Sequence, residues 1–474
     1  MLLEALRAVL RERGGAGWLV GGTVRDRQMG RPGTDVDVVV EDDPRAVAAA
    51  VAARSGLPWF ALSREWGAYR VVGSPGHLDV AAMRGGSLAA DLAMRDFTVN
   101  AMALPVAGGA LVDPFGGQGH LEQGRLVAVG RRIFADDPLR LLRAVRLAHT
   151  LDLALDPALR ELARAEARRL RETAAERVLS EVVLTLAAGR SAAAVGRWAN
   201  LSLLDVFLPE VTALHGVAQS PFHHLDVYGH TLNTMERLDD LIAAPGVYFG
   251  RSGELLAARL ARPVDGAMPR PVALRLGALL HDVAKPQTRA LDDQGRVMFW
   301  GHTELGGPVA EGICTRLRCS ASATSLVRRV VEQHLDLGFL QHEDPLTPRS
   351  AVRYLWDAAP WEPEVIMVSV ADRLATQGPR TEPRHVARHL AVAAELMERW
   401  RVRTHVGVPR PPVTGVDLMA ELGLDPGPLL GKVVREVALA WESGEIADRS
   451  EALSTARSRL EHLRAEESSA EGEG

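Results

Sequence analysis

Apolar and polar residues alternate in short runs over the first quarter of the chain, which predicts β-strands. The runs DVDVVV, YRVVG, HLDVAAM and GALVDPF lie between residues 35 and 115. Strands place successive side chains on opposite faces of a sheet, so each run predicts one buried and one exposed face. Helical and turn-rich stretches separate the runs. The pattern therefore predicts an α/β head, a small mixed sheet with helices.

From Arg131 onward the pattern changes to apolar residues three and four positions apart, as in ALRELARAEARRLRETAAERVLSEVVLTLAAG. This spacing places apolar side chains on one face of a helix, and it predicts an all-α body. Breaks rich in proline and glycine fall near 209–221, 262–271 and 408–415. We divide the chain into a head (1–130), a helical neck (131–215), a third domain (216–400), a helical tail (401–465) and an acidic, disordered end (466–474).

Composition narrows the class of protein. The chain has 474 residues, of which 47% are hydrophobic and 24% charged, as in ordinary globular proteins. No stretch approaches the roughly 20 apolar residues of a membrane span, and the N-terminal helix lacks the features of a signal peptide. Cys314 and Cys319 match neither zinc nor redox spacing, which fits a reducing cytoplasm. A net charge of −5 does not by itself indicate a nucleic-acid partner.

The stretch VGGTVRDRQMGRPGTDVDVVV combines a glycine pair with two aspartates on one strand face. Asp35 and Asp37 repel each other unless a cation lies between them, and oxygen ligands suit Mg²⁺. Gly21 and Gly22 precede a short helix, where backbone N–H groups can bind an anion, and Arg25 adds a positive charge. Such equipment is typical of phosphoryl transfer. The alternative is a glycine-rich turn before an exposed edge strand.

The segment DDPLR places Asp137 and Arg140 three residues apart, as neighbours on a helix face. A carboxylate beside a guanidinium can accept from the amino group of cytosine or adenine and donate to the adjacent ring nitrogen. The alternative is that Asp137 caps a helix that begins at Pro138.

These motifs occur in order with RDFTVNAMAL (95–104), DPFGGQGHLEQGRLVAVG (113–130) and FADDPLRLLRAVRLA (134–148). Together they resemble the class II tRNA nucleotidyltransferases, which comprise CCA-adding enzymes and bacterial poly(A) polymerases. The resemblance covers roughly residues 17–215. It returns in the tail in VTGVDLMAELGLDPGPLLGKVVREVALAWESGEI.

The resemblance implies a role for each matching residue. Asp35 and Asp37 would hold catalytic Mg²⁺, with Asp79 as a third acidic residue where the family usually has glutamate. Met94 replaces the first member of the family's arginine pair, and Asp136 replaces a glutamate in its E-D-x-x-R template. The implied nucleotide-binding residues are Gly21, Gly22, Arg25, Arg95, Asp96, Asn100, Asp137, Arg140 and Arg143.

Only nine residues, GGSLAADLA, separate LDVAAMR from MRDFTVN. CCA-adding members carry a longer flexible loop there, and a subgroup without it adds only two cytidines. The resemblance therefore predicts CC addition to the tRNA 3′ end from CTP, or full CCA addition if ATP is also used. The first outcome implies a separate A-adding enzyme as partner. Alternatives are a poly(A) polymerase, a phosphohydrolase whose head only binds RNA, and a non-catalytic RNA-binding protein.

Arginines crowd residues 131–177, and a basic helical stretch can follow RNA phosphates. We predict RNA contacts for Arg146, Arg164 and Arg168. Lysine is almost absent from the sequence, which has only Lys285 and Lys432, so the arginines can instead reflect composition.

A second set of metal-binding residue types follows between 220 and 375. It resembles the H…HD…D pattern of HD phosphohydrolase domains, which implies a metal site for Mn²⁺, Ni²⁺, Zn²⁺ or Fe²⁺ and hydrolysis of a phosphate ester. Lys285 would neutralise the phosphate, whereas His223 and His224 would be neighbours of the site. A domain that only binds RNA is the alternative. The implied ligands are His230, His281, Asp282, His302, His334 and Asp372.

Overall fold

The computed structural model describes residues 1–31, 33–266, 268–408 and 410–471. The protein forms two compact units, one of residues 1–188 with 193–208 and one of residues 189–192 with 209–474. The last helix continues to Glu471, so its backbone includes most of the end that the sequence predicts to be disordered. Residues 472–474 of that predicted end lie outside the described residues.

A six-stranded mixed sheet forms the head, as the alternating pattern predicts. Its order is β3-β4-β5-β2-β1-β6. Strands β2 and β5 are parallel, and the other neighbours are antiparallel. The strands are β1 Gly17–Val20, β2 Val36–Val40, β3 Trp59–Ser63, β4 Ala68–Val72, β5 His77–Ala82 and β6 Ala103–Pro105.

Helices of the first unit surround this sheet and continue into the neck. A short parallel pair, β7 Arg125–Leu126 with β8 Ala154–Leu155, interrupts the helical region. The helices are α1 Leu2–Arg13, α2 Gly22–Gln28, α3 Pro44–Ser55, α4 Leu88–Ala93, α5 Gly117–Glu122, α6 Ile133–Asp136, α7 Arg140–Thr150, α8 Pro157–Glu166, α9 Ala175–Ala187, α10 Ser191–Asn200 and α11 Leu204–Phe207. Single 3₁₀ segments cover Arg84–Gly86, Thr98–Asn100 and Ala167–Glu172.

One face of the sheet packs against helices to form the hydrophobic core of the head. Val38 and Val80 on this face are buried together with Leu6 of α1 and with Val47 and Val51 of α3. Because side chains alternate along a strand, the residues next to Val38 in β2 and next to Val80 in β5 point to the opposite face. The chemistry-bearing residues of β2 and β5 lie on that opposite face.

The second unit is helical, as predicted, except for a hairpin of β9 Ala290–Leu291 and β10 Val297–Met298. No described helix is long and apolar enough to cross a membrane. The helices of the second unit are α12 Pro209–Thr212, α13 Val227–Ala243, α14 Pro245–Phe249, α15 Gly253–Leu260, α16 Arg270–Leu280, α17 Lys285–Thr288, α18 His302–Arg316, α19 Ala321–Gln333, α20 Asp336–Leu340, α21 Pro348–Ala358, α22 Glu362–Ala375, α23 Pro383–Val406, α24 Gly415–Leu422, α25 Pro428–Glu442 and α26 Arg449–Glu471. A 3₁₀ segment covers Gly250–Ser252.

Candidate active site and metal centre

Two carboxylates face each other across the parallel strands of the head. Asp37 of β2 and Asp79 of β5 are direct partners in the register. The backbone N–H of Asp37 donates to Thr23 Oγ1 at 2.8 Å. Burial and the charge of Asp79 raise the pKa of Asp37, so a cation beside Asp37 would favour its ionised form. This donor set of hard oxygens fits a divalent cation such as Mg²⁺.

Asp35 lies one residue before β2 and is held beside the carboxylate pair. Its Oδ1 accepts from the backbone N–H of His77 at 3.2 Å and lies 2.9 Å from His77 Nδ1. His77 Nε2 is 3.5 Å from Asp79 Oδ2, and Arg70 donates two bonds of 2.7 Å to the same carboxylate. His77 and Arg70 were not predicted from the sequence, although His77 lies two residues before Asp79 on one strand face.

A cavity of about 410 Å³ opens beside the carboxylate pair. It brings together most of the predicted nucleotide-binding residues and adds Arg84. Asp35 and Arg25 are not part of its lining, so direct contact of these two residues with a bound nucleotide stays a prediction. The predicted residues in the lining are Gly21, Gly22, Asp37, Asp79, Arg95, Asp96, Asn100, Asp137, Arg140 and Arg143.

A series of side-chain contacts connects the turn between β1 and α2 to the neck. Arg25 lies against Gly22 and donates to Asn100 Oδ1 at 2.8 Å. Asn100 donates to Asp96 Oδ1 at 3.0 Å, and Arg143 Nε lies 2.8 Å from the other oxygen of Asp96. Arg25 therefore supports the wall of the cavity from behind.

Asp91 is a buried carboxylate that holds two arginines of the cavity. Its side chain is 1% exposed. Arg84 Nε donates to one oxygen at 3.0 Å, and Arg95 donates to the other at 3.0 and 2.8 Å. Burial opposes ionisation, but the charges of Arg95 and Arg84 outweigh it and lower the pKa of Asp91. Asp91 was not predicted from the sequence, although its four-residue spacing to Arg95 was a usable signal.

The pair predicted to recognise the base lies in the cavity wall. Arg140 begins α7 and donates to the carbonyl of Met94 at 2.9 Å. Asp137 accepts from Leu139 N–H at 3.2 Å and from Arg177 at 2.9 Å. The local bond to Leu139 resembles the capping alternative, yet α7 begins two residues later than that alternative requires. Capping and base recognition therefore do not exclude each other here.

The three arginines predicted to bind RNA differ in their surroundings. Arg146 donates to the buried Glu181 at 2.6 Å. Arg164 donates to the carbonyl of Asn200 at 2.7 Å and is exposed, as is Arg168. Exposure favours Arg164 and Arg168 as phosphate contacts, and all three RNA contacts stay predictions.

The second unit brings all six predicted HD residues together around Asp282. His281 and Asp282 follow α16, His302 begins α18, His334 follows α19, and His230 and Asp372 lie within α13 and α22. The Nε2 atoms of His230, His281, His302 and His334 lie 3.9, 3.1, 3.4 and 3.8 Å from the oxygens of Asp282. His230 Nε2 also lies 2.8 Å from Asp372 Oδ1.

Three of these imidazoles are oriented by the backbone. Nδ1 of His281, His302 and His334 lies 2.8, 2.7 and 2.9 Å from the carbonyl oxygen three residues earlier. A proton on Nδ1 leaves the Nε2 lone pair free, which is how ligand histidines are usually oriented. Nε2 of His281 and His302 has no hydrogen-bond partner among the described residues. Buried nitrogens of this kind fit a metal ion.

The electrostatics of His334 and His302 agree with a metal centre. Burial opposes a charge on His281, but the carboxylates of Asp282 and Asp372 outweigh it and raise the pKa of this imidazole. Burial, with a contribution from the neighbouring His281, lowers the pKa of His334 to about 3, and burial also lowers the pKa of His302. Neutral imidazole is the form that binds a metal. Lys285 Nζ lies 2.6 Å from Asp282 Oδ2, as an ion pair.

A cavity of about 430 Å³ adjoins this centre. His223, which the sequence analysis treats as a neighbour, lines it, and burial lowers the pKa of His223 to about 3. Phe222, Phe299 and Arg373 also line the cavity and were not predicted. Phe222 and Arg373 adjoin His223 and Asp372 in sequence, whereas only the fold brings Phe299 beside the HD residues.

Comparisons with known proteins agree with both sites. Residues 17–127 match the model of the Poly A polymerase head domain, and residues 227–377 match the HD domain. Residues 152–214 match the model described as a probable RNA and SrmB-binding site of polymerase A.

Curated relatives match over nearly the whole length of the protein. An A-adding tRNA nucleotidyltransferase of Deinococcus radiodurans is 34% identical over 92% of this protein and 93% of its own length. A CC-adding tRNA nucleotidyltransferase of Thermus thermophilus is 32% identical over 91% of both proteins. Among solved structures, a CCA-adding enzyme with CTP has a TM-score of 0.64 at 19% identity, covering 97% of this protein and 95% of that one. This last likeness concerns the fold.

Proposed function

The protein belongs to the tRNA nucleotidyltransferase family, and from this premise we propose that it adds cytidines to the 3′ end of tRNA from CTP. The 3′-hydroxyl attacks the α-phosphate, a new P–O bond forms, and pyrophosphate leaves. Asp37 and Asp79 would hold Mg²⁺, with Asp35 beside them. A divalent cation at such a site activates the attacking hydroxyl and stabilises the leaving group.

Residues of the cavity orient the nucleotide. The Asp137 carboxylate can accept from the exocyclic amino group of cytosine, while Arg140 donates to its ring nitrogen and carbonyl. Uracil presents a carbonyl oxygen where cytosine has its amino group, so it would face the carboxylate of Asp137 unfavourably. Adenine, by contrast, also carries an amino group next to a ring acceptor.

The choice of one nucleotide over a switch between C and A rests on one observation, the bond from Arg140 to the Met94 carbonyl at 2.9 Å. The choice of cytidine over adenosine rests on the short segment 85–93, in which the protein resembles the CC-adding subgroup. Met94 directly follows this segment, which stands where CCA-adding members have a longer loop. Asp91 fixes this segment from within by its bonds to Arg84 and Arg95. The base-recognising arginine is thereby held in one position, which supports a single nucleotide specificity over a switch between C and A.

Incorporation on defined tRNA ends tests this proposal. Transcripts that end at the discriminator base, or in CC, are incubated with CTP, ATP or both, and the 3′ ends are sequenced. We expect two cytidines on the first transcript and no addition to the second, whereas Asp37→Asn should abolish incorporation.

Other products would contradict the proposal in different ways. Adenosine added only to the CC transcript would make the protein an A-adding enzyme, like its Deinococcus relative. Full CCA would mean that the short segment permits a switch, and long A tails would indicate a poly(A) polymerase.

For the second unit we propose a transition-metal-dependent phosphohydrolase, with Mn²⁺, Ni²⁺, Zn²⁺ or Fe²⁺ as its ion. The free Nε2 atoms of His281 and His302 carry this proposal. His230, His334, Asp282 and Asp372 would complete the ligand set. A bound transition metal supplies an activated water for attack on a phosphate ester, and Lys285 would neutralise the phosphate.

Metal content and hydrolysis together test this second proposal. The purified protein should contain about one to two transition-metal ions and hydrolyse bis(p-nitrophenyl) phosphate. Asp282→Asn should lose both properties and keep cytidine incorporation. Hydrolysis that persists in Asp282→Asn would overturn the assignment, and metal without hydrolysis would reduce the domain to a structural or RNA-binding role.

A further inference from the structure

A row of paired residues crosses the head sheet and ends at an exposed aromatic ring. Phe60 of β3 pairs with Arg70 of β4, Arg70 pairs with Asp79 of β5, and Asp79 pairs with Asp37 of β2. Paired residues of neighbouring strands share a face of the sheet. Phe60 therefore lies on the same face as the catalytic carboxylates, at the far end of their row.

Apolar side chains are exposed along the end of this face. Phe60, Leu62 and Val72 are 50%, 44% and 37% exposed. Val72 pairs with His77, the residue that contacts Asp35, so a second row runs beside the first. We call these three side chains the β3–β4 face. Large apolar side chains gathered beside a polar site are typical of an interaction surface.

The nucleotide cavity occupies the other end of the same sheet face. Helix α4 covers that end, where Leu92 is buried with Val20 of β1 and Val39 of β2. Among the described residues, β3 and β4 contribute nothing to the lining of the cavity. Phosphoryl transfer in line needs the attacking hydroxyl and the leaving pyrophosphate on opposite sides of the phosphorus. Because the β3–β4 face lies outside the nucleotide cavity on the same sheet face, an attacking strand can reach the carboxylates from there while a nucleotide occupies the cavity.

We propose that the β3–β4 face binds the unpaired 3′ end of the RNA substrate, with a terminal base stacked on Phe60. The inference rests on the nucleotidyltransferase function proposed above. Strand β3 lies two strands from β5, a backbone separation of about 10 Å. The side chains of Phe60 and Asp79 project from these strands, so the ribose of the terminal nucleotide can bring its 3′-hydroxyl from the stacked base to Asp79 and Asp37.

Stacking suits the chemistry of this substrate. The base at the 3′ end changes with every addition, from the discriminator base to cytidine. An aromatic ring accepts any base, because every base presents a π-face, whereas hydrogen bonds to base edges would select one. The β3–β4 face would thus hold the growing end without restricting its sequence.

Binding of a fluorescent RNA tests this inference without catalysis. The probe is an acceptor-stem minihelix whose single unpaired 3′ nucleotide is 2-aminopurine, a base whose fluorescence falls on stacking. We expect Phe60→Ala to abolish the quenching and raise Kd about tenfold, the loss of one base–aromatic stack. Phe60→Tyr, which keeps a ring, should retain both properties. Phe339→Ala removes a ring that is 68% exposed in the second unit and should change neither.

A blunt-ended duplex, which lacks the unpaired 3′ nucleotide, serves as the control RNA. Wild type and Phe60→Ala should bind it equally. In turnover, Phe60→Ala should raise KM for the minihelix about tenfold and leave KM for CTP unchanged. Leu62→Ser provides a second, milder variant if Phe60→Ala folds poorly, and it should weaken minihelix binding in the same direction.

Three outcomes would overturn the inference. They are unchanged quenching in Phe60→Ala, an equal loss of affinity for the blunt duplex, and a change of oligomeric state with RNA binding intact. The last would assign this edge to protein docking, since edge strands pair readily with other polypeptides. Failure of the proposed function looks different, because wild type would then add no nucleotide while quenching still depended on Phe60.

Discussion

At the scale of single residues, the candidate active site depends on buried charges that face the cavity only indirectly. Asp91 does not line the nucleotide cavity, yet it fixes Arg84 and Arg95, which both do. A buried ion pair becomes strongly unfavourable when one partner is lost, because the remaining charge stays desolvated. We therefore regard Asp91 as a positioning residue.

The variant Asp91→Asn should show this role. It keeps the side-chain volume but removes the charge, so Arg95 and Arg84 lose their anchor. We expect a loss of about 3 kcal/mol in the free energy of unfolding and a 10- to 100-fold rise in KM for CTP. Denaturant unfolding and steady-state kinetics measure the two effects. Ser87→Ala, which only removes the N-cap of α4, should cost about 1 kcal/mol and keep KM. Equal KM in both variants would contradict the role.

The contrast between Asp37 and Asp35 shows what strand alternation can predict from the sequence and what it cannot. Alternation on a strand predicted that both carboxylates face one way, and both do lie near Asp79. Only the register adds that Asp37 is the direct partner of Asp79, whereas Asp35 precedes the strand and contacts His77. A distance in sequence cannot supply this register, because it depends on a strand about 40 residues later.

At the scale of elements, helices α22 and α23 bury a histidine between them. His389 is 3% exposed, and its Nε2 lies 3.4 Å from Ser369 Oγ. Burial, with a contribution from the charge of Arg373, lowers the pKa of His389 to about 4. The packed helices therefore hold the neutral imidazole, whereas the unfolded polypeptide takes up a proton near pH 6.5.

This difference predicts an acid-sensitive packing of α22 against α23. Between pH 6.5 and 4 the unfolded state binds more protons at this position, so stability present above pH 6.5 is lost as the pH falls. The difference between a pKa of 6.5 and one of about 4 corresponds to about 3 kcal/mol. We expect the stability difference between wild type and His389→Gln to shrink by this order between pH 7.5 and 4.5 in denaturant titrations. Parallel pH profiles of the two proteins would contradict the prediction.

At the scale of the whole molecule, periodicity predicted the class of each region correctly, an α/β head followed by a helical body. The candidate HD ligands were predicted by resemblance, since His230 and Asp372 lie 142 residues apart and no local pattern connects them. Phe299 was not predicted, because only packing brings it beside these residues. The predicted domain limits, including the one near residue 215, stay predictions.

The paired rows that cross the head sheet also limit which insertions strands β4 and β5 tolerate. A slip of one residue of β4 against β5 would place Val71 opposite Asp79 in place of Arg70, and would turn Arg70 toward the hydrophobic face of the sheet. A residue inserted between these pairs would therefore disturb the packing and the candidate active site together. Changes of loop length and exchanges of side chains leave this register intact.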